Sequence, residues 1–197
     1  MTIEFAVPPE QSLQALQKGM NRLLENASVQ SNMHFLSSGA KNAAQPLLAH
    51  PVYSIQPDQL ATDGSLASIK PTSWRYLIKS DLAPTFAEVN IKPDGHIHNF
   101  AHFNTGTVSK STLAAIQKLS NDSIPNGPHE LRMLRIVDLN FAALWLAGKP
   151  AENDIFIPLE GANLELDARK AYSRQGLFAA LDTPIEIARI PGSKTSS

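Results

Sequence analysis

Between Glu10 and Ala27 the apolar residues return every three or four positions, with Leu13, Leu16, Met20, Leu23 and Leu24 on one stripe. That spacing predicts an amphipathic helix over about 10–26. Gly19 interrupts it at a cost of about 1 kcal/mol relative to alanine. Residues 27–46 are rich in Ser and Asn and lack periodicity, which predicts a loop or linker. Pro46, Pro51, Pro57 and Pro71 then divide the chain into short elements and turns.

The pattern changes to alternation at Trp74. Trp74, Tyr76 and Ile78 point one way and Arg75, Leu77 and Lys79 the other, which predicts a strand over about 74–80. A second alternation, Ala87, Val89 and Ile91 against Phe86, Glu88 and Asn90, predicts a strand over about 86–91. The following "KPDG" suits a type I turn, with Pro93 at its second position and Gly95 in a left-handed conformation. A hairpin closed there, with its return strand over about 96–103, pairs Ile91 with Ile97, Val89 with Asn99 and Ala87 with Ala101. Helices over about 111–120 and 130–147 follow, the second strongly apolar and closed by Gly148 and Pro150. "DIFIPL" predicts a strand over about 154–159, "YSRQGLFAALD" a short helix capped by Ser173, and "IEIARI" a last strand. The polar end, 192–197, is predicted to be a disordered tail.

These elements make an α+β fold, a single domain over 1–197 in which helices cover one face of an antiparallel meander. The layout resembles small cystatin-like or NTF2-like folds, and a likeness of layout implies no activity. No repeat with a period of about 20–50 residues is present, which argues against a solenoid or propeller.

Composition narrows the classes of function. The chain has 197 residues, 43% hydrophobic and 18% charged, with a formal net charge of −1 and no cysteine. There is no basic cluster to attract nucleic acid or an anionic membrane surface. Thiolate metal sites, disulfides and cysteine nucleophiles are excluded. No stretch approaches the roughly 20 apolar residues of a membrane helix, and the N-terminus lacks the pattern of a secretory signal. A soluble, cytoplasmic protein is the expectation.

The chemistry worth weighing lies in "PDGHIHNFAHFNTG", where His96, His98 and His102 fall within seven residues. In the expected register Glu88, His96, His98 and His102 share the face opposite the core. Histidines two apart on a strand stand about 7 Å apart at Cα, and Glu88 lies diagonal to His98 on the neighbouring strand. His96, His98 and Glu88 therefore form a candidate Zn or Fe site with open positions. His102 lies about 13 Å further along the strand and stands apart. The competing reading is a solvated outer sheet face, on which Arg75 and Lys79 pair with Glu88.

Several partial motifs lead nowhere. "DGHIH" resembles the HxH strand of the amidohydrolase superfamily, but the barrel and the later ligands of that family have no place here. His96 and His98, with "PNGPH", resemble the metal motifs of cupins, yet His102 stands where the cupin glutamate belongs. "HELRM" begins like a zincin helix, but Met133 occupies the second histidine position. Asp138 is expected to pair with Arg135 on the apolar helix, and Phe141 and Trp145 to pack in the core. The expectation is a non-catalytic domain that binds a partner protein, a second copy of itself or a small ligand, with no cofactor. A metal-dependent hydrolase using His96, His98 and Glu88 is the alternative.

Overall fold

In the computed structural model, which describes residues 2–27, 46–57, 66, 68–78, 85–95, 98–104, 107–119, 127–160, 166–168 and 170–189, alternation and periodicity resolve into one mixed sheet and three helices. The elements run β1 (Thr2–Glu4), α1 (Glu10–Ala27), β2 (Pro46–Ile55), β3 (Ser73–Ile78), β4 (Thr85–Ile91) and β5 (His98–Asn104). There follow α2 (Thr107–Leu119), β6 (Pro128–Ile136), β7 (Phe141–Gly148), β8 (Ile155–Pro158), β9 (Tyr172–Ser173) and α3 (Arg174–Arg189). The α+β class is therefore as the sequence indicates. None of these helices is long and apolar enough to cross a membrane.

The sheet order is β5-β4-β3-β2-β6-β7-β8-β9. Two antiparallel meanders, β2 to β5 and β6 to β9, meet where β2 and β6 run parallel. β1 also runs parallel to β6, against its first residues, while β2 takes over from Val52 opposite Met133. Pro51 sits at this changeover. The Val52 carbonyl accepts from Thr72 on the β3 side, so the alternating Pro51 directs its missing donor toward β6, where pairing has not yet begun. A proline thus stands inside a central strand without leaving a ladder bond unmade.

Helices cover both faces, where the sequence suggested one. On the first face Leu16 and Met20 of α1 pack on Trp74, Tyr76, Ala87 and Val89. Further along that face, Leu177, Leu181 and Ile185 of α3 pack on Tyr53, Leu134, Trp145 and Phe156. On the second face Ala115 and Leu119 of α2 pack on Val52, Leu131, Met133, Leu144 and Leu146.

The expected helix over 130–147 is instead the hairpin β6–β7, whose turn is a 3-10 segment, Val137–Leu139, followed by Asn140 at φ 47°. Its strands lie under α3 on one face and α2 on the other, so both sets of alternating side chains are largely apolar, with Glu130, Arg132 and Arg135 the charged exceptions on β6. That continuous run has the same look as a buried helix. The expected final strand "IEIARI" is, through Arg189, part of α3, because Leu177, Leu181 and Ile185 continue the four-residue spacing of the buried stripe. The loop expected over 27–46 and the tail over 192–197 fall almost wholly outside the described residues.

The β4–β5 hairpin keeps its expected turn, in which the Gly95 N–H donates to the Lys92 carbonyl at 2.8 Å and Gly95 has φ 75°. Its register is different. Ile91 faces His98, Asn90 faces Asn99 and Val89 faces Phe100, and then Glu88 faces His102. Ala101 is the extra residue of a β-bulge. The bulge brings Phe100 and Phe103 to the same face, where their rings meet edge to face at 5.4 Å beneath α1.

Candidate ligand site

The register change decides where the polar side chains go. His98, opposite Ile91, belongs to the α1 face, whereas Glu88, opposite Arg75 and His102, belongs to the other. His98 and Glu88 therefore do not converge on one ion, and His96 lies outside the described residues. Among the described residues no three of His, Cys, Asp and Glu come together as a metal site.

What the second face does assemble is a buried polar cluster. His50 on β2, Ser73 and Arg75 on β3 and Glu88 on β4 all point to this side, and all four are buried. This is the face that the sequence suggested was solvated. Arg135 reaches in from β6 and grips Glu88 with both terminal nitrogens, each at 2.7 Å. Ser73 adds a hydroxyl donor to Glu88 Oε1 at 2.7 Å. The expected partner of Arg135, Asp138, is exposed in the β6–β7 turn, since the helix that would have placed them together does not exist.

Arg75 has no exposed surface. Its Nη1 donates to Thr112 Oγ1 of α2 at 3.3 Å and approaches Met133 Sδ at 3.1 Å, and its guanidinium lies 4.3 Å from the centre of the Phe86 ring. Among the described residues Nε and Nη2 have no partner, and neither ring nitrogen of His50 has one.

The electrostatics follow from this crowding. Burial and the positive charge of Arg135 lower the Arg75 pKa to about 10, although Glu88 acts in the opposite sense. Burial, then Arg75 and Arg135, hold His50 well below the ordinary histidine range, so it is neutral. Burial pushes Glu88 upward, but the bonds from Arg135 and Ser73 and the charges of both arginines overcome it and keep the carboxylate ionised.

Beside the cluster is a cavity of about 420 Å³ lined by Ser54, His102, Val108, Arg135, Asn140, Phe141 and Glu160, among others. Arg135 is the member common to the cluster and the cavity. Four strands supply the wall, with α2 closing it at Val108 and the β6–β7 turn bordering it at Val137 and Asn140. Apolar surface with a few polar groups turned inward is the usual make-up of a small-molecule pocket.

The other residues singled out in the sequence have structural positions. The His129 ring nitrogens lie 3.2 Å from the Gly127 and Asn153 carbonyls, and the residue is on a strand, so "HELRM" forms no zincin helix. Phe141 and Trp145 are core residues, as expected. Sequence reasoning did not find the Arg135–Glu88 pair, because 47 positions separate its members and one of them was assigned to a helix. No protein-family model, curated protein or solved structure matches this chain.

Proposed function

We propose that this protein is a non-catalytic binding domain that holds a small ligand in the cavity between β5, α2 and the β6–β7 hairpin. One observation carries this reading: Arg135, fixed in place by two bonds to a buried carboxylate, keeps 25% of its side-chain exposure and lines a cavity large enough for a metabolite-sized molecule. Pinning such a side chain in advance lowers the entropy lost when a ligand binds. The absence of cysteine removes the thiolate and leaves hydroxyl, imidazole, carboxylate and amine side chains as the available nucleophiles. The described cavity lining contains no hydrogen-bonded pairing of a nucleophile with a base, which favours binding over catalysis.

The test is a fragment screen by two-dimensional NMR on the whole chain. Binders should shift the resonances of Ser54, His102, Arg135 and Ala142 together and saturably. If the fragments bind elsewhere, or nothing in a chemically diverse set shifts those residues, the cavity is not a binding site and the reading fails.

A further inference from the structure

We propose that the ligand of this cavity is a monocarboxylate with an apolar stem, seated through its carboxylate on the outward N–H groups of Arg135. The inference rests on the reading above and names the chemical class of the ligand. The starting point is a charge count on the second face of the sheet. Arg75 and Arg135 bring two guanidiniums, and Glu88 is the one carboxylate among the described residues that bonds to either. His50 is neutral and offsets neither. Glu88 is already well occupied, since Oε1 accepts from Ser73 and Arg135 and Oε2 from Arg135. The cluster therefore carries an excess positive charge in a place where water cannot fully screen it.

Arg135 is where a ligand can reach that charge. A guanidinium has five N–H donors, and Glu88 takes two bonds from this one. The side chain retains 25% of its exposure and lines the cavity. A planar carboxylate matches the remaining donor edge of a guanidinium better than a point-like anion does. Val108 and Ala142 supply apolar surface for the stem.

Glu160 sets the upper limit on ligand charge. It lies on the same lining, so a dianion such as phosphate meets a like charge at the rim, while a single carboxylate with a neutral tail can turn its stem that way. Ser54 and Asn140 offer neutral hydrogen-bonding groups that accommodate a carboxylate without adding charge.

The experiment is isothermal titration of the full chain with hexanoate, hexanol, hexylammonium and inorganic phosphate at matched ionic strength. Hexanoate should bind at one site and exceed each of the other three by about tenfold or more, the order expected of a charge-assisted bond. Arg135→Gln should remove that preference. Because that change strips a buried carboxylate of its partner, a second variant is needed. Glu160→Gln alters an exposed rim residue and should fold normally. It should tighten hexanoate severalfold and raise phosphate affinity more. Hexanol or hexylammonium binding as well as hexanoate, phosphate matching it, or Glu160→Gln leaving hexanoate and phosphate unchanged would each overturn the carboxylate assignment. If none of the four probes binds, that assignment is likewise overturned, and the NMR screen separately decides whether the cavity binds anything.

Discussion

Gly19 of α1 lies directly against the ring of Phe100 on β5, so closely that a β-carbon at position 19 would overlap the ring. The glycine that weakens the helix by local propensity is what lets it settle onto the sheet. In an exposed helix, Gly→Ala stabilises by about 1 kcal/mol. Here Gly19→Ala should instead destabilise by about 1–3 kcal/mol, the range for overpacking a filled site. Urea denaturation of Gly19→Ala, Phe100→Ala and the double variant checks it, since without the ring the glycine substitution should cost less. A stabilised Gly19→Ala variant would contradict this packing.

The Arg135–Glu88 pair should be strongly coupled. Arg135→Met leaves Glu88, whose side chain is 5% exposed, without its bidentate partner. A loss of about 3 kcal/mol or more is expected. Glu88→Gln in the same background should restore a good part of it, because the uncompensated charge is gone. A double-mutant cycle in denaturant measures this, and strictly additive effects would show the pair to be energetically idle.

Arg75 should behave in the opposite way. It is fully buried and, among the described residues, bonds to Thr112 and Met133 and has two nitrogens without partners. Arg75→Met keeps most of the volume and removes a charge that is costly to desolvate. Stability should stay within about 1 kcal/mol of the parent or rise. The long-range pull on an anion in the cavity should weaken at the same time. A thermal melt beside a hexanoate titration of the same variant reads both, and a drop of several kcal/mol would show that Arg75 holds the fold together.

Stability should also fall on acidification through His50. Its folded-state pKa lies well below 6.5 because burial, Arg75 and Arg135 all oppose the charged ring. Above 6.5 neither state takes up the proton, whereas below it the unfolded chain does and the folded chain does not. The loss approaches about 1.4 kcal/mol per pH unit while that difference lasts. Glu88 acts in the same direction at lower pH, since its folded pKa is depressed below 4.5. His50→Asn should flatten the dependence between pH 6.5 and 5 relative to the parent, measured by denaturant midpoints at each pH. Parallel curves for the two proteins would assign the acid sensitivity to other groups.

Parts of this fold were plainly legible along the chain. The stripe Leu13, Leu16, Met20 identified α1, and the alternation Trp74, Tyr76, Ile78 identified β3 and its core face. The Pro93–Gly95 turn was legible too, because its chemistry is local. The β4–β5 register was not. A bulge at Ala101 is set by how Phe100 and Phe103 pack under α1, and no pattern within the strand announces it. Pairing of Ile91 with His98 instead of Ile97 put His98 on the α1 face, away from Glu88, and the bulge at Ala101 then returned His102 to the Glu88 side.

By itself, then, the sequence determined those features that depend on neighbours along the chain: helix α1, strands β3 and β4, the turn, the cysteine-free chemistry and the α+β class. Tertiary structure alone decided what required both faces of the sheet to be known. Once α2 and α3 cover opposite sides of β6 and β7, the largely apolar segment 130–147 is a hairpin and no longer a helix. Once α2 sits over the second face, Arg75 and Glu88 pass from apparent surface to interior. Burial changes the cost of a charge by several kcal/mol, and it belongs to the whole fold and not to any segment. For that reason the hydrophobic pattern could locate the core but not the polar site built within it.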